Sequence, residues 1–457
     1  MKAKSIILTL ASALTLLTAA ESSAQTRQWS LQDCIDYALE NNISLQQIRN
    51  RQLSGYEDTK QAKAAFFPSL NASVSQGFTN RPFSESGSST VIGSDVYNTG
   101  SSSYSGNYGV NASWTLFSGG SLVNSLKQSK LQNSVDSLSV QESTNEIVKS
   151  LIQAYMQCLY ATEAVKVGQL TAESSKAQLE RAKELKNVGQ LSKVDVAQLE
   201  SQYASDCYQV TSAEVSLDNY RLQLKQLLEL GVSDDIELVE PSDDESRVLK
   251  LLPAKEDVYN SALETMPEIR KSELNLTAAE LSVRQAQSSY SPTLMATASL
   301  GTTNVSGLET SFGEQLEKNF SESIGLSLQI PIFQGRKVKT AVNKARIEVD
   351  NSRLEQLSAE KTLLKEVEDT YLAAVSAQSK YTSAKEQAKY AEQSYELTAE
   401  QFNVGMKNTV ELITAQNNLL NARVELLQAK YTALMNNALL DIYQGNYKIN
   451  TKYENEK

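Results

Sequence analysis

The sequence predicts a mostly α-helical chain, built twice from one unit, with a small transmembrane β part. Three observations predict it. Two long tracts, Ser121 to Lys186 and Arg336 to Phe402, hold no Pro and a single Gly, Gly168. Four stretches, 68–78, 107–117, 292–302 and 322–332, switch to a period of two residues. One nonapeptide occurs twice, as Asn187-Val188-Gly189-Gln190-Leu191-Ser192-Lys193-Val194-Asp195 and as Asn403-Val404-Gly405-Met406-Lys407-Asn408-Thr409-Val410-Glu411. Asn, Val, Gly and a later Val keep their spacing in the two copies, 216 positions apart, and each copy ends in a carboxylate.

The chain opens with Lys2 and Lys4, an apolar run from Ile6 to Leu17, and Ser22-Ser23-Ala24. A basic region, a short apolar region and a small-residue site make a secretory signal peptide over residues 1–24. The apolar run is too short for a membrane-spanning helix. No Cys follows the cleavage site, which speaks against a lipid-modified N-terminus. Loss of Lys2, Lys4 and Glu21 moves the formal charge from −11 to −12. So acidic a chain is a poor nucleic-acid binder. Cys34, Cys158 and Cys207 are scattered along helical tracts without a CxxC spacing and read as small buried hydrophobes. There is no His, which removes His-based catalytic triads and most zinc sites.

Self-similarity runs along the whole chain. Ala38-Leu39-Glu40 matches Ala262-Leu263-Glu264 at an offset of 224, and Pro68 and Gly77 match Pro292 and Gly301. Beyond a Ser/Gly-rich stretch the offset becomes 216: Gly109, Phe117, Lys149 and Tyr155 match Gly325, Phe333, Lys365 and Tyr371. The expected organisation is a first repeat over 25–230, an acidic linker over 231–253, a second repeat over 254–443 and a tail over 444–457.

Each repeat has one order. Ser30 and Asp33 form an S-x-x-D cap, and the helical pattern continues to about Ala65. Leu70, Ala72 and Val74 then alternate with Asn71, Ser73 and Ser75, and residues 79–107 read as a loop. Val110, Ala112, Trp114 and Leu116 alternate in turn before Gly119-Gly120. In the second repeat the alternating sets are Leu294 to Leu300 and Ile324 to Ile332, around a loop over 302–322. The long tracts follow. At 1.5 Å per residue each could span roughly 100 Å. Leu131, Val135, Leu138, Val148, Leu151, Tyr155 and Leu159 recur at spacings that suggest a coiled coil or helical barrel, with Leu364, Val367, Tyr371 and Val375 in the second copy.

The duplicated nonapeptides read as tips of helical hairpins. Gly189 and Gly405 suit the left-handed residue that ends a helix. Ser192 with Asp195, and Asn408 with Glu411, have the spacing of a cap on the next helix. As exposed turns, Val188, Gly189, Gln190, Leu191 and Ser192, and Val404, Gly405, Met406, Lys407 and Asn408, are the candidate docking surface. Asp195 and Glu411 read first as caps, and Lys407 as a solvated charge that could pair with Asp195.

A spanning β-strand needs ~9–11 residues alternating apolar and polar. The four stretches fit, and their polar positions are Ser, Thr, Asn, Gln and Gly with almost no charge. A water-facing sheet capping a rod would more often carry Lys and Glu. Four strands cannot close a barrel, and lipid does not tolerate open edges. The strands therefore come from several chains, and they do not choose between two, three or four.

In its residues the chain resembles the outer-membrane efflux protein family, the TolC-like channels. The resemblance rests on Phe402-Asn403-Val404-Gly405 with Thr409-Val410-Glu411-Leu412, on Phe117-Ser118-Gly119-Gly120, on Pro331-Ile332-Phe333-Gln334-Gly335 and on the opening Trp29-Ser30-Leu31 with Ala38-Leu39 and Asn41-Asn42. It implies a homotrimer whose four strands per chain make a shared 12-strand barrel in outer-membrane lipid, with long α-helical hairpins forming a coiled-coil-like tunnel through the periplasm. It also implies a periplasmic adaptor and an inner-membrane pump docked at the helical end, with residues 232–252 and the tail wrapped round the middle. The implied periplasmic gate comprises Glu411, Thr414, Asp195, Phe402 and Lys407. Here the sequence departs from the family. Glu411 and Thr414 hold the places of two aspartates, and Phe402 and Lys407 those of a tyrosine and an arginine. Phe donates no hydroxyl hydrogen bond, and Lys is a poorer bidentate partner than Arg.

Asp234-Asp235 sits in an acidic stretch without an electrophile, and no nucleophile, phosphate-loop or metal constellation is legible. The reading is no enzyme, no cofactor, no metal and no nucleic acid: an exit duct for efflux or type I secretion. The competing class is a secreted coiled-coil scaffold without transport activity.

Overall fold

The computed structural model describes residues 28–83, 88–92, 95–99, 102–231, 234–240, 245–308 and 310–446. The signal peptide, Asp243 and Asp244, and the tail beyond Asn446 lie outside the described residues. In chain order the elements are β1 Gln28–Trp29, α1 Leu31–Asn41, α2 Ile43–Ala64, β2 Ser69–Asn80, β3 Ser88–Ile92, β4 Asp95–Thr99, β5 Ser102–Phe117, α3 Ser121–Asn187, α4 Lys193–Leu227, β6 Glu237–Leu238, α5 Glu245–Val248, α6 Lys255–Thr265, α7 Pro267–Ser288, β7 Thr293–Val305, α8 Phe312–Lys318, β8 Ser321–Gln329, α9 Lys337–Asn403 and α10 Thr409–Tyr443. Helices of 11, 22, 67 and 35 residues recur in that order in each half. Two compact units cut across the halves. Of the described residues, one holds those within 28–48, 140–267 and 360–446, and the other those within 49–139 and 268–359.

The second unit carries the sheet. Its strand order is β2-β5-β7-β8, antiparallel throughout. The register turns four separate alternations into two uniform faces. Leu70, Ala112, Ala298 and Ile324 stand in one row across the sheet. The next residues along, Asn71, Asn111, Ser299 and Ser323, form the matching row on the other face. Opposed residues in a ladder share a face, so these two rows are strips of one chemistry, whereas the row of Ala72, Val110 and Leu300 ends in Glu322. Much of the apolar face is open among the described residues, Leu70 being 73% exposed and Ile324 90%, while α8 covers part of it, with Phe312 edge-on to Tyr108. The Trp114 indole donates to the Phe66 carbonyl at 2.8 Å, tying β5 to the turn before β2. Gly119 (φ +62°) lets the chain leave β5 past Ser288 and Ser291, where a Cβ would overlap backbone.

Several expectations need correction here. The helix expected from Ser30 to Ala65 is broken at Asn42, whose side-chain oxygen accepts from the Leu45 amide at 3.1 Å and so caps α2. The break recurs at Met266, where Pro267 opens α7. Proline fits a first helical position but disfavours helix in the residue before it. Residues 79–107 are no plain loop: β2 and β5 extend into them, and β3 pairs with β4. The 302–322 loop contains α8, capped by Ser311, and Gln315 holds it to β7 through the Val305 amide at 2.9 Å. β8 ends at Gln329 instead of reaching Ile332, because Pro331 has no amide to pair. In α9 the buried stripe is Leu363, Val367 and Ala374, while Leu364 and Val375 are exposed.

In the first unit the segment 231–253 does more than link. β6 pairs in parallel with β1, and the Tyr155 hydroxyl, which donates to the Val239 carbonyl at 2.7 Å, pins that bridge. Val248 is buried against Ala377 and Ala433, and Asn437 donates to the Arg247 carbonyl at 3.0 Å. Lys250 with Asp441, and Lys385 with Glu245, hold α5 across α9 and α10. Cys34 and Cys158 are buried and Cys207 half-buried, all as free thiols.

Candidate functional site

Both predicted tips lie in the first unit and form as capped hairpins. α3 ends in a Schellman turn: Gly189 has φ +80°, its amide donates to the Lys186 carbonyl at 3.0 Å, and Gln190 donates to Leu185 at 2.9 Å. Gly405 repeats this at the end of α9, with φ +77° and the Met406 amide on the Gln401 carbonyl at 2.8 Å. The next helix starts at once. Ser192 Oγ accepts from the Asp195 amide at 3.2 Å, and Asp195 Oδ2 accepts from the Ser192 amide at 3.1 Å. Asn408 Oδ1 accepts from the Glu411 amide at 2.9 Å, and Glu411 Oε2 from the Asn408 amide at 3.1 Å. These are reciprocal capping boxes, one of them built on Asn.

The copies differ in what precedes the cap. Leu191 packs on a cluster of Leu179, Ala182, Val196, Leu199, Phe402 and Leu412, as a hydrophobic staple does. Lys407, at the equivalent place, reaches the Glu411 carboxylate at 2.5 Å instead. The pairing of Lys407 with Asp195 considered from the sequence is therefore not formed. Asp195 Oδ1 instead accepts from the Thr409 hydroxyl, at 2.9 Å, and this bond links the two hairpins. The Ser192 hydroxyl first, and then the Thr409 hydroxyl, hold the Asp195 carboxyl below its ordinary range. For Glu411 the first cause is Lys407 and the next is the Asn408 amide. Glu411 thus has a counter-charge in the turn just before its own helix.

Phe402, expected at a gate, is only 5% exposed and fills the cluster between the hairpins. Thr414 is exposed one turn beyond Glu411, its hydroxyl donating to the Val410 carbonyl at 2.8 Å. Val188, Val404 and Met406 are exposed apolar side chains at the turns, and Gln190, Ser192 and Asn408 are exposed polar ones. The site therefore has a rigid base and an apolar outer surface around two open glycines.

Farther along α4 lies a group that sequence reading missed. Asp206 is buried, accepting from Gln202 Nε2 at 2.9 Å, from Gln416 Nε2 at 3.3 Å and from the Ser175 hydroxyl. Burial pushes its carboxyl up, against the lowering effect of Ser175 and Gln202. Gln416 Oε1 has no partner among the described residues. The residue 216 positions on from Asp206 is Ala422, also buried, so the repeat spacing of the sequence does not mark this site. Among the described residues no three acidic or thiol side chains are placed to hold a metal ion.

A family model described as outer membrane efflux protein matches residues 34–229 and 258–446. The chain is 26% identical over 315 residues to the outer membrane protein TolC of Escherichia coli strain K12, a match covering 66% of this chain and 62% of that protein. Over 398 residues it is 20% identical to the outer membrane efflux protein BepC of Brucella suis, covering 87% of this chain and 81% of the relative. Among solved structures, CusC superposes with a TM-score of 0.76 at 17% identity, covering 93% of this chain and 95% of that one.

Proposed function

The chain belongs to the outer membrane efflux protein family, and from that premise we propose that it is the outer-membrane exit duct of a tripartite efflux or type I secretion system. The observation that carries the reading is the sheet. Its four strands expose one largely apolar face, and its outer strands β2 and β8 keep one open edge each. In lipid those edges must pair, so the strands of several copies close one barrel. With four strands per chain, a homotrimer makes a 12-strand barrel, and its helices make the periplasmic tunnel. We read the chain as an internal duplication with repeats over 25–230 and 254–443.

The hairpin tips are the proposed docking surface for a periplasmic adaptor, which connects the duct to an inner-membrane pump. Val188, Val404 and Met406 would contact the adaptor, and Gly189 and Gly405 would let its backbone approach. Glu411 and Thr414 would line the closed entrance with Asp195 and Lys407 behind them, and Phe402 would anchor the base. We assign no catalytic step, and leave the cargo open between small molecules and proteins.

The test is fractionation with a transport readout. The full-length protein, expressed in a deletion strain, is expected in the outer-membrane fraction as a trimer that restores export. A soluble periplasmic monomer would instead identify the secreted scaffold.

A further inference from the structure

Positive charge gathers where the helices meet the sheet. The whole chain carries −11, yet the four stretches that join helix to strand, 61–68, 118–130, 281–292 and 330–346, contain nine Lys or Arg and no Asp or Glu. They are Lys63 near the end of α2, Lys127 and Lys130 early in α3, Arg284 near the end of α7, Arg336 just before α9, and Lys337, Lys339, Lys344 and Arg346 in its first turns. All nine are exposed, and none is ion-paired among the described residues. Pairing begins just outside the stretches, at Lys60 with Glu57 and at Arg353 with Asp350. The strands β2, β5, β7 and β8 carry a single Asp, Glu, Lys or Arg, Glu322, at the opposite end of β8. The pattern is an apolar face, charged only at Glu322 on its far end, bordered on its helical side by unpaired cations.

One part of this border is a formed groove. Between α3 and α7 it encloses about 400 Å³. Lys127, Lys130 and Arg284 line it with the half-buried Leu131 and Leu281, and one acid, Glu280, stands against the three cations. An apolar floor with three ammonium and guanidinium groups suits a ligand with a phosphate and an acyl chain. The guanidinium fork matches phosphate oxygens, and the lysines add point charge.

We infer that this collar binds anionic phospholipid headgroups on the periplasmic side of the barrel, with the α3–α7 groove as its best-formed seat. The inference rests on the reading of the sheet as a membrane barrel. Headgroup phosphates lie just beyond an apolar band, where the collar stands next to the exposed face. Clustered Lys and Arg bordering a membrane segment attract anionic lipid, and salt screens the attraction within about 8 Å at physiological ionic strength.

The test reconstitutes the full-length protein in phosphatidylcholine vesicles with a trace of spin-labelled phosphatidylglycerol or spin-labelled phosphatidylcholine. The immobilised fraction of each label reports relative affinity at the protein surface. Wild type is expected to immobilise phosphatidylglycerol preferentially, less so at high salt. The variant K127Q/K130Q/R284Q is expected to lose about fivefold of the preference per charge removed at low salt, and K127R/K130R/R284K to keep it. Equal immobilisation of the two lipids by wild type, or an undiminished preference in the Gln variant, overturns the inference but leaves the barrel intact. Loss of preference on adding inorganic phosphate, beyond that with chloride at equal ionic strength, reassigns the groove to free phosphate. Wild-type protein that does not enter vesicles overturns the barrel reading as well.

Discussion

Replacing Gly405 with Ala separates the two roles of the hairpin turn, ending a helix and presenting a surface. The residue holds φ +77°, and a Cβ built on it meets nothing within 4 Å. The cost of Ala is then the backbone alone, ~1–2 kcal/mol for a left-handed L-residue. Reduced freedom of the unfolded chain returns ~0.4–1 kcal/mol, which leaves a net loss of roughly 1 kcal/mol. That loss stays local, because Leu412, fully buried, and Phe402 hold the base from below. The assay is amide hydrogen exchange of the purified assembly at Val404 and Met406, alongside export in cells. Faster exchange confined to the turn, with export lost and assembly intact, is expected if the adaptor approaches this backbone. Export unchanged by the Ala variants of both Gly405 and Gly189 would show the glycines to be helix terminators only. Exchange accelerated along the length of α9 would refute the claim that the tip is a separate local unit. The control is Gly119→Ala, whose Cβ would lie 2.4 Å from Ser291 Cβ and 2.6 Å from the Ser288 carbonyl. It should cost several-fold more than Gly405→Ala and impair assembly.

Ile324→Arg, opposite Ala298 on the apolar face and near the middle of β8, should cost ~2–4 kcal/mol in a barrel near the bilayer midplane, measured as folding yield into vesicles; an unchanged yield would mean that this face does not meet lipid. Thr409→Val removes the hydroxyl bonded to Asp195 and should cost about 0.5–1.5 kcal/mol of tip stability, read by hydrogen exchange. Because the folded-state carboxyl of Asp195 lies below its unfolded value, its contribution is present above that unfolded value and lost as pH falls through the folded one. The variant should therefore lose less on acidification than wild type. Asp206 has the opposite sign: its folded-state carboxyl is raised, so it costs nothing below the unfolded value and progressively more as pH rises through the folded one. Asp206→Asn, with Gln416 free to turn its amide, should abolish that part of the pH dependence of thermal stability and raise stability at pH 7; an unchanged pH profile would count against the account.

The residues by themselves determined the long helices, the four main strands and their order. A two-residue period marks Leu70 to Val74 as a strand in any context, and a 67-residue tract without Pro has no place to stop being a helix. The tips were legible because their signals are local: a glycine that tolerates positive φ, then a cap with its carboxylate three positions later. Interruptions without a local breaker were less legible, and Asn42 ends one helix and starts the next through its own side chain. Tertiary structure decided whatever depends on partners far apart in sequence. It set the register that aligns Leu70 with Ala112, Ala298 and Ile324, since alternation alone fixes a period but not a neighbour. It gave Asp195 to Thr409, 214 positions away, and left Lys407 to Glu411, because the nearer carboxylate, four positions on, satisfies the ammonium at less loss of side-chain freedom. It turned Phe402 inward, where it packs with Leu179, Ala182, Val196, Leu199 and Leu412 from the ends of four helices. Burial of Asp206 was illegible for the same reason: desolvation is a property of the helices packed around a carboxyl, and nothing in the carboxyl's own neighbourhood of sequence records it.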